Sequence, residues 1–116
     1  VVNNNYGVWN KEAFEKAKAE KKIIVLYFYA NWCPTCREQE PVNREVLGSL
    51  DPTRVVALRV SILDSETTKE GEALARELGV RYQHTYIFFD NNGGEVYRYT
   101  GPLSAEQIRV QVEKAK

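Results

Sequence analysis

Two cysteines three positions apart carry the plainest chemistry in this chain. Cys33 and Cys36 are its only cysteines, and they stand in Trp32-Cys33-Pro34-Thr35-Cys36, just after the apolar run Ile23 to Ala30. A pair so spaced can exchange disulfides, bind a metal or form a structural bridge. A bridge closing so small a loop removes little chain entropy and makes a poor staple. No second cysteine pair and no histidine pair is present to complete a tetrahedral zinc site. Dithiol exchange is the better reading, and an apolar strand leading into the motif is the context it requires.

Exchange needs one activated thiol and a second within reach. Pro34 suits the first turn of a helix, which puts Cys33 at the helix entrance and Cys36 one turn inside. The free amides and positive dipole end at that entrance favour a thiolate at Cys33. The spacing brings the sulfurs together without backbone strain, so Cys36 can resolve a mixed disulfide formed at Cys33.

The elements that must hold this entrance can be traced along the chain. Asn10 caps a helix over Lys11 to Lys21, with Ala13, Phe14 and Ala17 as its apolar stripe. Ile23 to Tyr29 reads as a central strand buried on both faces. The motif helix runs from Pro34 to Leu47, with Pro41 as a kink. Val55 to Val60 is the next strand, and a Thr67–Glu70 capping box opens a helix through Ala73, Leu74 and Leu78 that stops at Gly79. Thr85 to Phe89 and Glu95 to Thr100 flank the hairpin Asp90-Asn91-Asn92-Gly93-Gly94. Ser104 with Gln107 caps a last helix carrying Ile108 and Val112, and a short first strand is placed near Tyr6 to Trp9. Helices between strands define an α/β fold, a central mixed β-sheet flanked by helices on both faces. Residues 1–5 are expected to be a disordered lead-in and 6–116 a single domain.

Composition narrows the classes further. A chain of 116 residues, 43% hydrophobic, has room for one cored domain and little more. Sixteen basic residues balance 16 acidic ones, so no global field draws it to nucleic acid or an anionic membrane. Ile23 to Ala30 falls far short of the roughly 20 residues that cross a bilayer. The chain begins at Val1 and holds no Met, so it is expected to be a mature or trimmed product, with any signal or anchor outside it.

The segment Tyr29-Ala30-Asn31-Trp32-Cys33-Pro34-Thr35-Cys36-Arg37 resembles the active-site segment of the thioredoxin superfamily. Pro41 matches the family's helix-kinking proline; Gly79-Val80-Arg81, Thr85 with its strand, and Gly101 resemble the second half. The resemblance covers the chain from Trp9 onward. Trp9, the Lys/Glu/Ala helix and Ile23 to Tyr29 are similar to the C-terminal domain of DsbD-type interchange proteins. The string Trp-Cys-Pro-Thr-Cys-Arg is similar to the reductants of cytochrome c maturation.

That resemblance implies a thioredoxin fold with Cys33 as the attacking thiol and Cys36 as the resolving one. It implies a thiol:disulfide oxidoreductase with a redox-active Cys33–Cys36 disulfide and no other cofactor, reducing protein disulfides outside the cytoplasmic membrane. The setting it implies is periplasmic or membrane-tethered, with a cytoplasmic one as the alternative. Its partners would be protein thiols and disulfides and an upstream electron donor, itself membrane-embedded in one version. Nucleic acid is not among them, and a monomer is expected.

Two positions depart from the family pattern. Where the family carries a cis-proline before the threonine matching Thr85, this chain has His84. A cis bond to a non-proline residue costs about 2.5–4 kcal/mol, so Gln83–His84 is expected to be trans or strained. His84 has three readings: a polar loop residue, a group that tunes the Cys33 thiolate or moves protons, or a metal ligand. With Cys33 and Cys36 it would make a soft site for Cu(I) or an open zinc position, which defines the alternative of a copper-binding or delivery module.

Tyr27 stands six positions before Cys33, where many thioredoxins carry a buried aspartate, and a phenol of pKa near 10 is a poor base at neutral pH. Glu40, four residues after Cys36 on the same helical face, is the candidate proton acceptor, and DsbD-type domains are similar in having a glutamate here; a solvated surface charge is its other reading. Trp32, Pro34, Thr35, Tyr82, His84 and Thr85 are the candidate docking residues. The strand aromatics Tyr27, Phe28, Tyr29, Tyr86, Phe88 and Phe89 are expected in the core.

Overall fold

A strand that is apolar on both faces needs cover on both, and the chain supplies it. The computed structural model describes residues 6–116. In order these form β1 (Tyr6–Val8), α1 (Lys11–Ala19), β2 (Ile23–Tyr29), α2 (Pro34–Gly48) and β3 (Val55–Ser61). The second half adds α3 (Lys69–Leu78), β4 (Thr85–Phe89), β5 (Glu95–Thr100) and α4 (Ala105–Ala115). The expected lead-in, residues 1–5, lies outside the described residues.

The strands form one mixed sheet in the order β1-β3-β2-β4-β5. β1 and β2 run parallel to β3, while β4 is antiparallel to both β2 and β5. β2 sits at the centre with every residue buried. Its Ile23, Val25, Tyr27 and Tyr29 share a core with Cys36, Val46 and Leu47 of α2 and Ile108, Val112 and Ala115 of α4. Ile24, Leu26 and Phe28 point the other way, into Phe14 and Ala17 of α1 and Leu74 and Ala75 of α3. The period-2 alternation of a strand thus divides one apolar run between two cores. This is the α/β arrangement expected from the sequence, with the strand aromatics in its core.

Boundaries differ where side chains compete for backbone amides. α1 ends before Lys21, because Lys21 adopts φ 55° and the Lys22 amide returns to the Ala17 carbonyl at 3.1 Å. The N-cap of α3 is Thr68 rather than Thr67: its hydroxyl accepts from the Gly71 amide at 3.0 Å. Thr67 instead bonds Asp64, at 3.0 Å. α3 does stop at Gly79, which takes φ 73° in the left-handed region. The Ser104–Gln107 capping box forms in both directions.

The helix that carries the cysteines is held by three buried polar residues. Gln39 donates to the Leu103 carbonyl at 2.7 Å and accepts from the Leu103 amide at 3.2 Å. Asn43 accepts from the Tyr86 hydroxyl at 2.6 Å. Glu40 accepts from the Tyr6 hydroxyl, from Asn43 and, at 2.7 Å, from Arg59. These bonds fix α2 against β1, β3, β4 and the segment before α4, so its first turn has little freedom. Pro41 lies inside the helix, where it has no N–H to give.

Arg59→Met should lower unfolding free energy by about 3 kcal/mol in urea titration, because it strands a buried carboxylate. Glu40→Gln added to the same chain should recover at least about half of that loss. A double variant with no recovery would assign the loss to the packing of Arg59 on the Tyr29 ring, 4.3 Å from its centroid.

Candidate active site

β2 ends by delivering the chain to the start of α2. In the joining loop the Asn31 amide donates to Asp64 at 2.7 Å and the Trp32 indole to the Leu63 carbonyl at 2.7 Å. Cys33 is the N-cap of α2, and its sulfur accepts from the Cys36 amide at 3.3 Å. A cap acceptor serves amides that have no partner in the helix, and it does so best when negatively charged. The Thr35 hydroxyl lies 3.3 Å from the same sulfur.

The two thiols are free, and their surroundings drive them apart. Burial opposes ionisation of Cys33, but hydrogen bonds from the Cys36 thiol, Thr35, the Cys36 amide and the Gln83 side chain outweigh it and hold the thiol below its ordinary range. Cys36 is wholly buried; burial first, and then its bond to Cys33, push it up to about 11. One sulfur is poised as a nucleophile and its neighbour is kept protonated behind it.

The expected docking residues divide. Trp32 and Tyr82 are exposed, 53% and 67%, and Pro34 and Thr35 are exposed on the first turn of α2. Leu63, 57% exposed with φ 59°, joins them through the Trp32 bond to its carbonyl. Thr85 turns inward: its hydroxyl donates to the Tyr82 carbonyl at 2.9 Å and meets the Thr100 hydroxyl at 2.9 Å. Its hydroxyl is thereby committed to holding the loop.

His84 lies in a loop without a cis bond, as none occurs among the described residues, and its φ is 63°. The left-handed backbone is pinned on both sides: the His84 amide donates to the Phe28 carbonyl at 2.7 Å, and its carbonyl accepts from the Gly101 amide at 2.8 Å. The imidazole is buried, and its Nδ1 lies 2.7 Å from the Tyr27 hydroxyl. Burial holds its pKa below the ordinary histidine range. Among the described residues no three histidine, cysteine, aspartate or glutamate side chains gather to hold a metal ion. The Cys33, Cys36 and His84 set that the copper alternative needs does not assemble, because the ring is turned toward Tyr27.

Glu40 is neither solvated nor directed at the thiols. Its hydrogen bonds go to Arg59, Tyr6 and Asn43, so the shared helical face did not translate into a bond to sulfur. Tyr27, set aside as a poor base, is the group whose hydroxyl meets both Cys36 and His84. The position-for-position match to the family's aspartate was the signal that pointed there. Gln83 and Leu63 also escaped the sequence reading, since neither residue type carries a motif.

A five-stranded mixed sheet with a free dithiol at the first turn of α2, after its central strand, defines a thioredoxin-fold protein. The model of the thioredoxin-like domain family matches residues 10–116. Thioredoxin H5 of Arabidopsis thaliana is 33% identical over 99 residues, which cover 85% of this chain and 75% of that protein. The thiol:disulfide interchange protein DsbD of Pectobacterium atrosepticum is 33% identical over 97 residues, 78% of this chain but 16% of that protein. A thioredoxin structure from Halobacterium salinarum superposes with a TM-score of 0.77 at 21% identity, covering 99% of this chain and 94% of that one. The chain belongs to the thioredoxin-like family, and its dithiol is arranged for the thiol–disulfide exchange of that family.

Alkylation of the reduced protein by iodoacetamide should therefore be confined to Cys33 at neutral pH. Because thiolate is the reactive form, its rate should rise through an inflection below that of an ordinary thiol, and Thr35→Val should move that inflection upward. Cys36 should react only as pH nears 11. Equal labelling of both cysteines at pH 7 would contradict the asymmetry.

Proposed function

We propose that this protein reduces protein disulfides outside the cytoplasmic membrane by dithiol exchange at Cys33 and Cys36. The observation that carries the chemistry is the asymmetry of the two thiols, one hydrogen-bonded toward its thiolate and one buried as a thiol. The Cys33 thiolate attacks a substrate disulfide, forms a mixed disulfide and releases one substrate sulfur, which takes up a proton. Cys36 then gives up its proton and attacks the Cys33 sulfur. The second substrate sulfur leaves and is protonated, and the two electrons have come from the dithiol, now the Cys33–Cys36 disulfide.

Exposed Trp32, Leu63 and Tyr82 supply an apolar rim for a protein substrate around this chemistry. The setting and the upstream dithiol donor that restores the pair rest on the similarity to the DsbD segment and to the cytochrome c maturation reductants. A direct donor is needed by stoichiometry, because each turnover consumes the dithiol. No helix among the described residues is long and apolar enough to cross a membrane.

In an insulin-reduction assay driven by dithiothreitol, Cys33→Ser should fall to background and Cys36→Ser should accumulate a mixed disulfide with substrate. Full activity in Cys33→Ser would end the proposal. A glutathione titration tests direction: a reductant should poise the couple below about −230 mV, whereas a value above about −180 mV would make the protein an oxidant.

A further inference from the structure

Resolution of the mixed disulfide presents a proton problem. Cys36 must lose a proton to attack, yet it is 0% exposed. It lies in a dry cluster with Val25, Val46, Leu47 and Ala57. The helix carboxylate is committed elsewhere, since Glu40 is bonded to Arg59, Tyr6 and Asn43.

Besides Cys33 and the Ala30 backbone, the Cys36 sulfur has Tyr27 as its hydrogen-bond partner. The Tyr27 hydroxyl, itself on a fully buried side chain of β2, shares the buried cluster of Cys36 and faces its thiol on one side. On the other it lies 2.7 Å from Nδ1 of His84. The rings of Tyr27 and His84 meet edge to face, with centroids 6.0 Å apart. The neighbouring phenol is unavailable, because Tyr86 gives its hydroxyl to Asn43. His84 Nε2 is buried and has no hydrogen-bond partner among the described residues, so the path ends on the imidazole.

We propose that Tyr27 and His84 form a proton relay that deprotonates Cys36 while it resolves the mixed disulfide. The proposal rests on the dithiol-exchange reading above and deepens it. With His84 neutral and its proton on Nε2, Nδ1 accepts the Tyr27 O–H, and the Tyr27 oxygen accepts the Cys36 S–H. As the Cys36 sulfur bonds to Cys33, its proton passes to the Tyr27 oxygen and the phenol proton passes to Nδ1. The phenol is regenerated, His84 becomes imidazolium, and the expelled substrate thiolate balances that charge. When the reduced substrate departs, the imidazolium releases its proton to solvent at His84, the most exposed of the three relay residues at 8% against 0% for Tyr27 and Cys36.

The titration behaviour of the three groups agrees with this order. Burial pushes the Cys36 thiol up to about 11 and raises the Tyr27 phenol as well, so neither ionises alone at neutral pH. Burial also keeps His84 neutral and able to accept. The titratable groups facing the relay are Cys33 from α2, Tyr86 from β4 and, more distantly, Tyr6 from β1. None is a carboxylate or a permanent cation, and Cys33 is bonded to substrate at this step, so His84 is the one group there left to take a proton within the physiological range.

A nitrothiobenzoate disulfide separates the two chemical steps in a single turnover of the reduced full chain. The first release of coloured thiolate reports attack by Cys33, and the second reports resolution by Cys36. Tyr27→Phe, which keeps the ring, should slow the second release at pH 7 by at least about tenfold and leave the first within about twofold. The deficit should close as pH approaches 11, where Cys36 ionises unaided. His84→Asn is compatible with a left-handed backbone and keeps a hydrogen-bonding side chain, but cannot titrate. It should slow the second release and abolish the acid-side inflection that His84 gives the native protein below pH 6.5. A second release within about twofold of native in Tyr27→Phe would overturn the relay, as would an acid inflection retained in His84→Asn. A native chain with no first release would instead refute the dithiol reading, and the relay with it.

Discussion

The bond from the Cys36 amide to the Cys33 sulfur is the contact on which the site depends. It places sulfur where a helix ordinarily wants a side-chain oxygen, at the N-cap, so the local need of the helix and the chemical need of the nucleophile are met by one atom. A thiol is a weak acceptor and a thiolate a strong one, so the helix entrance favours the charged form. The same geometry commits Cys36 to the interior one turn later, where burial does the opposite. Thiol asymmetry here therefore combines helix position with hydrogen bonds to the Cys33 sulfur from the Cys36 thiol, Thr35 and Gln83.

That contact survives only if α2 cannot slide. The all-buried β2 fixes the point at which the chain enters the loop, and Gln39, Glu40 and Asn43 fix the helix from its buried side. Each is a polar group that would be costly if unpaired, and each is paired. The bonds of Gln39 to Leu103 couple the helix to the start of α4, and that of Asn43 to Tyr86 couples it to β4. Stability and positioning draw on the same residues, which is why a carboxylate in catalytic register turns out to serve Arg59.

The fold was legible because its signals are local. β2 is a run of apolar residues too short for a helix, α3 ends on a glycine in the left-handed region, and Ser104 with Gln107 marks the start of α4. Cys33 and Cys36 were legible for the same reason, since spacing and Pro34 alone place them on one helical turn. Glu40 and Tyr27 were not. Helical periodicity put Glu40 on the face of the cysteines, but only tertiary packing brings Arg59 and Tyr6 to its carboxylate. Tyr27 stood out only by its match to the family's aspartate and was set aside as a poor base, and nothing within its own strand announces that its hydroxyl meets groups from α2 and the β4 entrance. Side chains whose roles arise from contacts 9 and 57 residues away along the chain, Tyr27 with Cys36 and with His84, lie beyond any local pattern.

His84 shows that the loop is not the family's loop with one side chain exchanged. Proline locks φ near −65° and has no N–H, whereas His84 sits at φ 63° and gives its amide to Phe28 at 2.7 Å. A left-handed non-glycine residue costs on the order of 1–3 kcal/mol unless its surroundings over-determine it. Here they do, through the bonds to Phe28 and Gly101 and the contact of the ring with Tyr27. The backbone turn and the buried imidazole are thus a single solution: the left-handed turn directs the ring inward, and a proline in its place would lose both the amide bond and the polar contact. A histidine before Thr85 and a tyrosine in place of the usual aspartate belong together, because each supplies the partner that makes the other tolerable in a dry core.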